Sequence, residues 1–206
     1  MTSNDLHSLL SSFKGADNER QLQKEWELLA PAFLYGGYLR VGEDYRIYIR
    51  TVEFYFHRED NMISDPIVYH RNGRYPDRDR VPYFPLMSLH AHASGFDIAF
   101  ENEECQYRAS GLIRAYEIYD EKRKEFLLLK NGKRTDDRST FLYDYLNGFS
   151  LCGKQDIEWV SEFHEIGKIT SSKRRNVFRY DEKGEKTDIA DERPWSFTRH
   201  TDIEPC

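Results

Sequence analysis

Apolar residues recur at helical spacing at the start of the chain and at alternate positions through its middle. Leu6, Leu9, Leu10 and Phe13 fall on one face of a short helix. Asp17 is placed to cap a second helix, in which Leu22, Trp26 and Leu29 keep the helical period until Pro31 breaks it. From Tyr38 the period shortens to two. Residues 45–57 are rich in β-branched and aromatic side chains, and their alternation changes face midway. Ile47 and Ile49 are apolar at odd positions, then Val52, Phe54 and Phe56 at even ones, which predicts a β-bulge near Arg50 and Thr51.

Residues 58–85 are dense in Asp, Arg, Asn and Pro and read as a long loop, a length that in compact domains tends to be functional or disordered. Strands are predicted at 86–92, 96–100, 111–119 and 125–129, the last ending at the tight-turn pair Asn131-Gly132. Residues 140–151 and 156–163 read as helices and 176–180 as a closing strand. Antiparallel strands edged by helices at both ends make an α+β fold, a curved, mainly antiparallel sheet with flanking helices. We expect one domain over 1–206, with 1–27 as a helical extension and 181–206 as an acidic tail. Val52, Phe54, Phe56, Ile98, Phe100, Leu112 and Leu127 are the expected core of the sheet, and Trp26, Trp159 and Trp195 are expected core tryptophans.

Composition narrows the setting. A chain of 206 residues can bury a core without covalent staples. No apolar run approaches the ~20 residues that cross a bilayer, and the first residues lack the pattern of a secretion signal. Cys105, Cys152 and Cys206 are odd in number and far apart, which fits a reducing compartment and no zinc ribbon. A cytoplasmic protein is expected. The net charge of −6 counts against nucleic acid, but the charge is uneven. Residues 181–206 carry eight acids and four bases, whereas Lys168, Lys173, Arg174, Arg175 and Arg179 precede them with no acid between. Such a run either contacts phosphates or forms a solvated loop.

The segment Val52-Glu53-Phe54-Tyr55-Phe56-His57 sets Glu53, Tyr55 and His57 on one strand face and three apolar side chains on the other. Asp65 and His70 follow. This resembles the signature of the 3-methyladenine (alkyladenine) DNA glycosylases, V-E-T-E-A-Y followed by D/E-x-x-x-H. Residues 29–40 are similar to that family's helix-to-strand opening, A-x-x-L-L-G-x-x-L-x-R. Gly95–Phe100 and Gly111–Ala115 are similar to its G-M-Y-F-C-M-N and V-L-L-R-A strands, and 140–151 sits where it has a G-P-x-K-L-x-x-A-L helix. Ile166-Gly167 and residues 173–180 are similar to its closing I-G-x…K-P-x-R-F-Y segment. The series is collinear over roughly 28–197.

The resemblance implies base excision repair. A damaged nucleotide is flipped from double-stranded DNA carrying an alkylated purine such as 3-methyladenine, and a carboxylate-activated water attacks the sugar. Carried over by position, His70 matches the pocket histidine and Arg114 the arginine beside the catalytic water. Tyr55 stands where the family has its glutamate, His57 where it has the tyrosine that stacks on the base, and Glu101 where it has the base-reading asparagine. Ser94 stands where an aromatic wedge enters the DNA. A tyrosine, with an ordinary pKa of ~10, is a poor base near neutrality, so Glu53 and Glu101 are the expected substitutes. The expected site is therefore Glu53, Tyr55, Glu101 and Arg114 for chemistry and His57 and His70 for the base. Arg71, Arg74, Lys173, Arg174 and Arg175 are the expected DNA contacts. No cofactor, metal ion or membrane is expected, and a monomer is expected.

Two other readings stand beside it. The chain could be a catalytically silent relative that binds damaged DNA or a nucleobase. It could also be a metal-assisted hydrolase using His57, His70, His90 and His92, although no third ligand lies at a diagnostic spacing. The same residues also have bland explanations. Glu53, Tyr55 and His57 could form a solvated strand face, Arg114 could be paired for structural reasons, and Arg71, Arg74, Arg78 and Arg80 could pair with Asp77 and Asp79.

Overall fold

The structure, a computed structural model, describes residues 5–60, 62–65, 67–72, 81–92, 94–151, 156–175, 177–180, 186–189 and 191–205. Helix α1 (Leu6–Ser12) starts at Asp5, whose carboxylate accepts from the Ser8 N–H at 3.0 Å. Helix α2 (Glu19–Tyr35) is capped by Asn18, one residue beyond the expected Asp17, with its side chain accepting from Gln21 N at 2.9 Å. It also runs through Pro31 rather than ending there. The lost hydrogen bond is offset by burial, since Leu29, Ala30, Ala32, Phe33, Leu34 and Tyr35 around the proline are all in the core.

The strands follow as β1 (Gly37–Val41), β2 (Tyr45–Arg58), β3 (Leu89–His92), β4 (Gly95–Ala99), β5 (Tyr107–Asp120), β6 (Glu125–Phe126) and β7 (Thr135–Asp136). Helix α3 (Phe141–Leu151) is followed by β8 (Ile157–Ser161), β9 (Ile169–Ser172), β10 (Phe178–Tyr180), β11 (Lys186–Asp188) and β12 (Ser196–Arg199). The fold is α+β, a curled antiparallel sheet in the form of a half-barrel with three helices among the described residues. Its main path runs β3-β4-β5-β2-β1-β8. The central pair β2–β5 shifts register between Ile49 and Val52, where the change of apolar face predicts a bulge. There β2 also changes partner on its other side, from β1 opposite Tyr45–Ile47 to β12 opposite Thr51–Glu53.

The face carrying Val52, Phe54 and Phe56 packs on the helices. Trp26 of α2 stacks on Phe54 with centroids 4.6 Å apart, and Phe33 meets Phe54 edge-on at 5.3 Å. One continuous core results, and it includes Leu6, Leu10 and Trp26. The helices that begin within residues 1–27 pack around the sheet as part of this core where they are described. The same holds at the other end, where Trp195 is buried and β12 pairs in the sheet, so described residues of 191–205 are not a loose tail.

Other expectations need correction. Residues 157–161 form a strand paired with β1, with Trp159 opposite Leu39, rather than a helix. The sheet is closed on that side by β12 and β9, while among the described residues β10 pairs only with β11 in a separate ribbon. Val52, Phe54, Phe56, Ile98, Phe100 and Leu112 are buried, but Leu127 is half-buried because β6 ends at Phe126. Trp26 and Trp195 are core, whereas Trp159 is half-buried on edge strand β8. No helix among the described residues is long and apolar enough to cross a membrane.

Candidate functional site

The second face of the sheet is polar, and it is buried too. In register across β2 and β5, Glu53 opposes Leu112, Tyr55 opposes Ser110 and His57 opposes Arg108. Asp97 of β4 opposes Leu112, and His90 of β3 opposes Asp97. Cross-strand partners share a face. This row therefore carries acids, hydroxyls and imidazoles where a sheet ordinarily meets either water or a second apolar layer. Buried polar groups ordinarily find partners, and here most of the charged ones are gathered into two clusters.

The first cluster is centred on Glu53, which is fully buried. Its Oε2 accepts from Arg114 Nη2 at 2.6 Å and from the Tyr55 hydroxyl at 3.2 Å, and its Oε1 accepts from the Arg175 N–H at 3.0 Å. Arg114 also donates to Ser139 Oγ, just before α3, and to the Arg175 carbonyl. Burial works against its charge, but Glu53 raises its pKa above the ordinary guanidinium value. Burial pushes the Tyr55 phenol well up, and the Glu53 charge pushes it further. Tyr55 is thus a neutral hydroxyl at any ordinary pH and not a base.

Beside it lies Arg174, whose side chain has no exposed surface. It donates to Asp65 at 2.6 Å, to Asp191 at 2.7 Å and to the Phe54 carbonyl at 3.2 Å, and its guanidinium sits 4.5 Å from the Tyr55 ring centroid.

The second cluster is centred on Arg108, also fully buried. It donates to Glu59 at 2.7 Å and to Glu101 at 3.1 Å, and to the carbonyls of Val81 and Pro82 at 2.6 and 2.8 Å. Its guanidinium lies 3.6 Å from the Tyr83 ring centroid. Glu101 also pairs with His70 and accepts from the Phe84 N–H at 2.7 Å. His57 lies 3.7 Å from Glu59, its Nδ1 has no partner, and burial lowers its pKa against the pull of Glu59. Above these runs a stack of rings. Tyr69 lies 4.8 Å from His92 and 4.6 Å from His70, His70 5.0 Å from Phe84, and Phe84 3.6 Å from His90.

The structure thus brings Glu53, Tyr55 and Arg114 into one hydrogen-bonded group and His70 and Glu101 into another. His57 lies between them on β2. Arg174, proposed from sequence as a phosphate contact, is corrected to a buried structural cation, since its desolvated charge is consumed by Asp65 and Asp191. Lys173 and Arg175 are exposed but paired, with Glu192 and with Asp137. Arg71 is half-buried and has partners, and Arg74, with Asp77, Arg78, Asp79 and Arg80, lies outside the described residues.

Among the described residues no group of three or more His, Cys, Asp and Glu is arranged to hold a metal ion. His92 instead pairs with Asp97 at 3.0 Å, and His90 bonds Ser88 Oγ at 2.9 Å. The sequence reading missed Arg108, Glu59, Asp97 and, as a partner of Arg174, Asp191. The signal for Arg108 was its position opposite His57, hidden because the strand was started at 111 rather than 107. Comparison with protein-family models, with curated proteins and with solved structures finds no match to this chain.

Proposed function

We propose that this chain is a binding relative of the alkyladenine DNA glycosylases, one that receives a damaged purine flipped from duplex DNA at the polar sheet face around Tyr55. The reading begins from the collinear motifs over roughly 28–197 and from the grouping of Glu53, Tyr55 and Arg114. The observation that carries binding rather than excision is the state of the two carboxylates. Glu53 is saturated by Arg114, Tyr55 and a backbone N–H, and Glu101 is held at Oε2 by Arg108 and a backbone N–H and at Oε1 by an ion pair with His70. Both side chains are also without exposed surface, so neither has an oxygen open to a catalytic water. The half-buried rings of Tyr69 and His92, at the end of the row of rings, are aromatic groups against which a base could stack. Lys173 and Arg175 can exchange their exposed partners for phosphate at little cost, because such pairs contribute only ~0–1 kcal/mol.

A second reading, excision with Glu53 as the base, is favoured by one feature. Glu53 lies beside both Arg114 and the position where the resemblance expects a catalytic carboxylate. One pair of measurements separates the two. Fluorescence anisotropy compares a duplex carrying 3-methyladenine with its undamaged counterpart, and a base-release assay runs on the same duplex. The binding reading expects preference for the lesion with release at background in both the parent and Glu53→Gln. Release that Glu53→Gln abolishes establishes excision instead. Equal affinity for the two duplexes removes both.

A further inference from the structure

At the end of the sheet away from β3 and β4, four elements bring three guanidiniums to one carboxylate. Glu117 of β5 is buried, and its Oε2 accepts from Arg199 Nη2 at 2.6 Å. Its Oε1 lies 3.2 Å from Arg134 Nε and 3.6 Å from Arg50 Nη1, and accepts from Thr135 Oγ1 at 3.1 Å. The other clusters described above are close to charge balance, but this one has two positive charges more than its buried acid can neutralise. Part of the surplus is met by the segment that leaves β12. Arg50 donates to Asp202 Oδ1 at 2.6 Å and to the His200 carbonyl at 3.3 Å, Arg199 to the Thr201 carbonyl at 2.8 Å, and Arg134 to the Ile203 carbonyl at 3.0 Å. Asp202 itself is 61% exposed, while the Arg50 and Arg134 side chains keep 19% and 30% of their surface.

We propose that Arg50 and Arg134, with the fully buried Arg199 adding its charge from behind, form an oxyanion site for a phosphoryl group, and that the chain's own Asp202 carboxylate stands in for part of that group. The charges fit in either form. A phosphate dianion that displaces Asp202 neutralises the surplus, and a phosphodiester monoanion does so with Asp202 retained. Guanidiniums match phosphate oxygens in pairs, and Arg134 is pre-set by stacking 3.4 Å from the Phe126 ring centroid. Displacing Asp202 is cheap because an exposed ion pair in water contributes little. Arg50 holds the Asp202 carboxyl below the usual carboxylate range, so it competes as an anion near neutrality. The site shares none of the residues of the base-binding reading and does not rest on it.

The test is calorimetric titration of the full chain with inorganic phosphate against sodium chloride of equal ionic strength, with circular dichroism to check folding. The parent is expected to bind one phosphate saturably, and Arg134→Gln to abolish the binding. Asp202→Asn removes the competing charge and is expected to tighten it by up to ~5-fold. Competition with a short DNA duplex then identifies the source. Displacement of phosphate assigns the group to a nucleic-acid backbone, and no displacement assigns it to free phosphate or a phosphomonoester. Absence of saturable binding in both the parent and Asp202→Asn overturns the proposal. Unchanged binding in folded Arg134→Gln does so as well, and so does unchanged or weaker binding in Asp202→Asn, an exposed position at which folding is not at stake.

Discussion

Arg174 and Lys173 are neighbours in sequence and opposites in energetic role. Removing the Arg174 guanidinium leaves Asp65 and Asp191 buried with a missing cation, although Arg193 still bonds Asp191 at 2.6 Å. We expect Arg174→Met to cost about 3–5 kcal/mol of unfolding free energy, the cost of breaking a buried pair. Lys173→Ala should cost less than ~1 kcal/mol. Urea denaturation measures both, and similar losses would mean that Arg174 is as solvated as its neighbour. His57 supplies a pH dependence. Its folded pKa is lowered by burial from an ordinary 6.5. The unfolded chain therefore takes up a proton below pH 6.5 that the folded chain refuses, and stability present above that pH is lost as pH falls toward the folded value. His90 and His164 are lowered for the same first reason and add to the slope. His57→Gln should flatten, but not abolish, the decline in urea midpoint between about pH 7.5 and 5.5, the window set by an ordinary histidine pKa. An unaltered slope would show that His57 does not titrate there.

Helix α2 lies so close to the central strands that one position on β5 has no room for a side chain. A Cβ on Gly111 would stand 2.8 Å from Phe33 Cε1 and 3.0 Å from Val52 Cγ2. Gly111→Ala should therefore destabilise by about 1–3 kcal/mol through overpacking, and Phe33→Leu in that background should recover part of the loss. A double-mutant cycle measures the coupling, and simple additivity would place the helix farther from β5. Long amphipathic elements like these were legible in the sequence. The change of apolar face at Arg50 and Thr51 located the bulge, and strand parity placed Glu53, Tyr55 and His57 on one face. Short elements were not legible. Ile157, Trp159 and Val160 suit a helix or a strand, and only pairing with β1 decides between them. Ser196–Arg199 carries too few apolar residues to announce a strand until Phe197 is seen against Phe54, with centroids 5.7 Å apart. The candidate site was legible as a set of positions but not as chemistry. Of the three groups that saturate Glu53, Tyr55 is two residues away, but Arg114 and the Arg175 N–H come from 61 and 122 residues away, and no local pattern reports such distances.

At the scale of the molecule, the chain's two ends build one core. Trp195 meets Trp26 edge-on at 6.1 Å and covers Arg174 at 5.1 Å, so the residues before β12 bridge the apolar and polar layers. Arg193 lies 4.2 Å from the Trp195 ring centroid and 3.5 Å from Asp65, which ties the same segment to the region after β2. β12 in turn supplies the partner that β2 needs beyond its bulge and is the only strand among the described residues to which β9 pairs. An acidic appendage would be dispensable, whereas this segment carries a buried tryptophan, two buried ion-pairing residues and a sheet strand. Deleting everything after Ile189 should expose Trp26 and Phe54, strand Arg174 without Asp191, and open the sheet at Thr51. Burying an aromatic of that size contributes about 3–5 kcal/mol by truncation data. Together with the lost ion pair, that approaches the whole ~5–15 kcal/mol stability of a domain. The truncated chain is therefore expected to lose cooperative thermal unfolding and near-ultraviolet dichroism while keeping part of its helical signal. A truncated chain that melts cooperatively near the parent's midpoint would return residues 190–206 to the status of a tail.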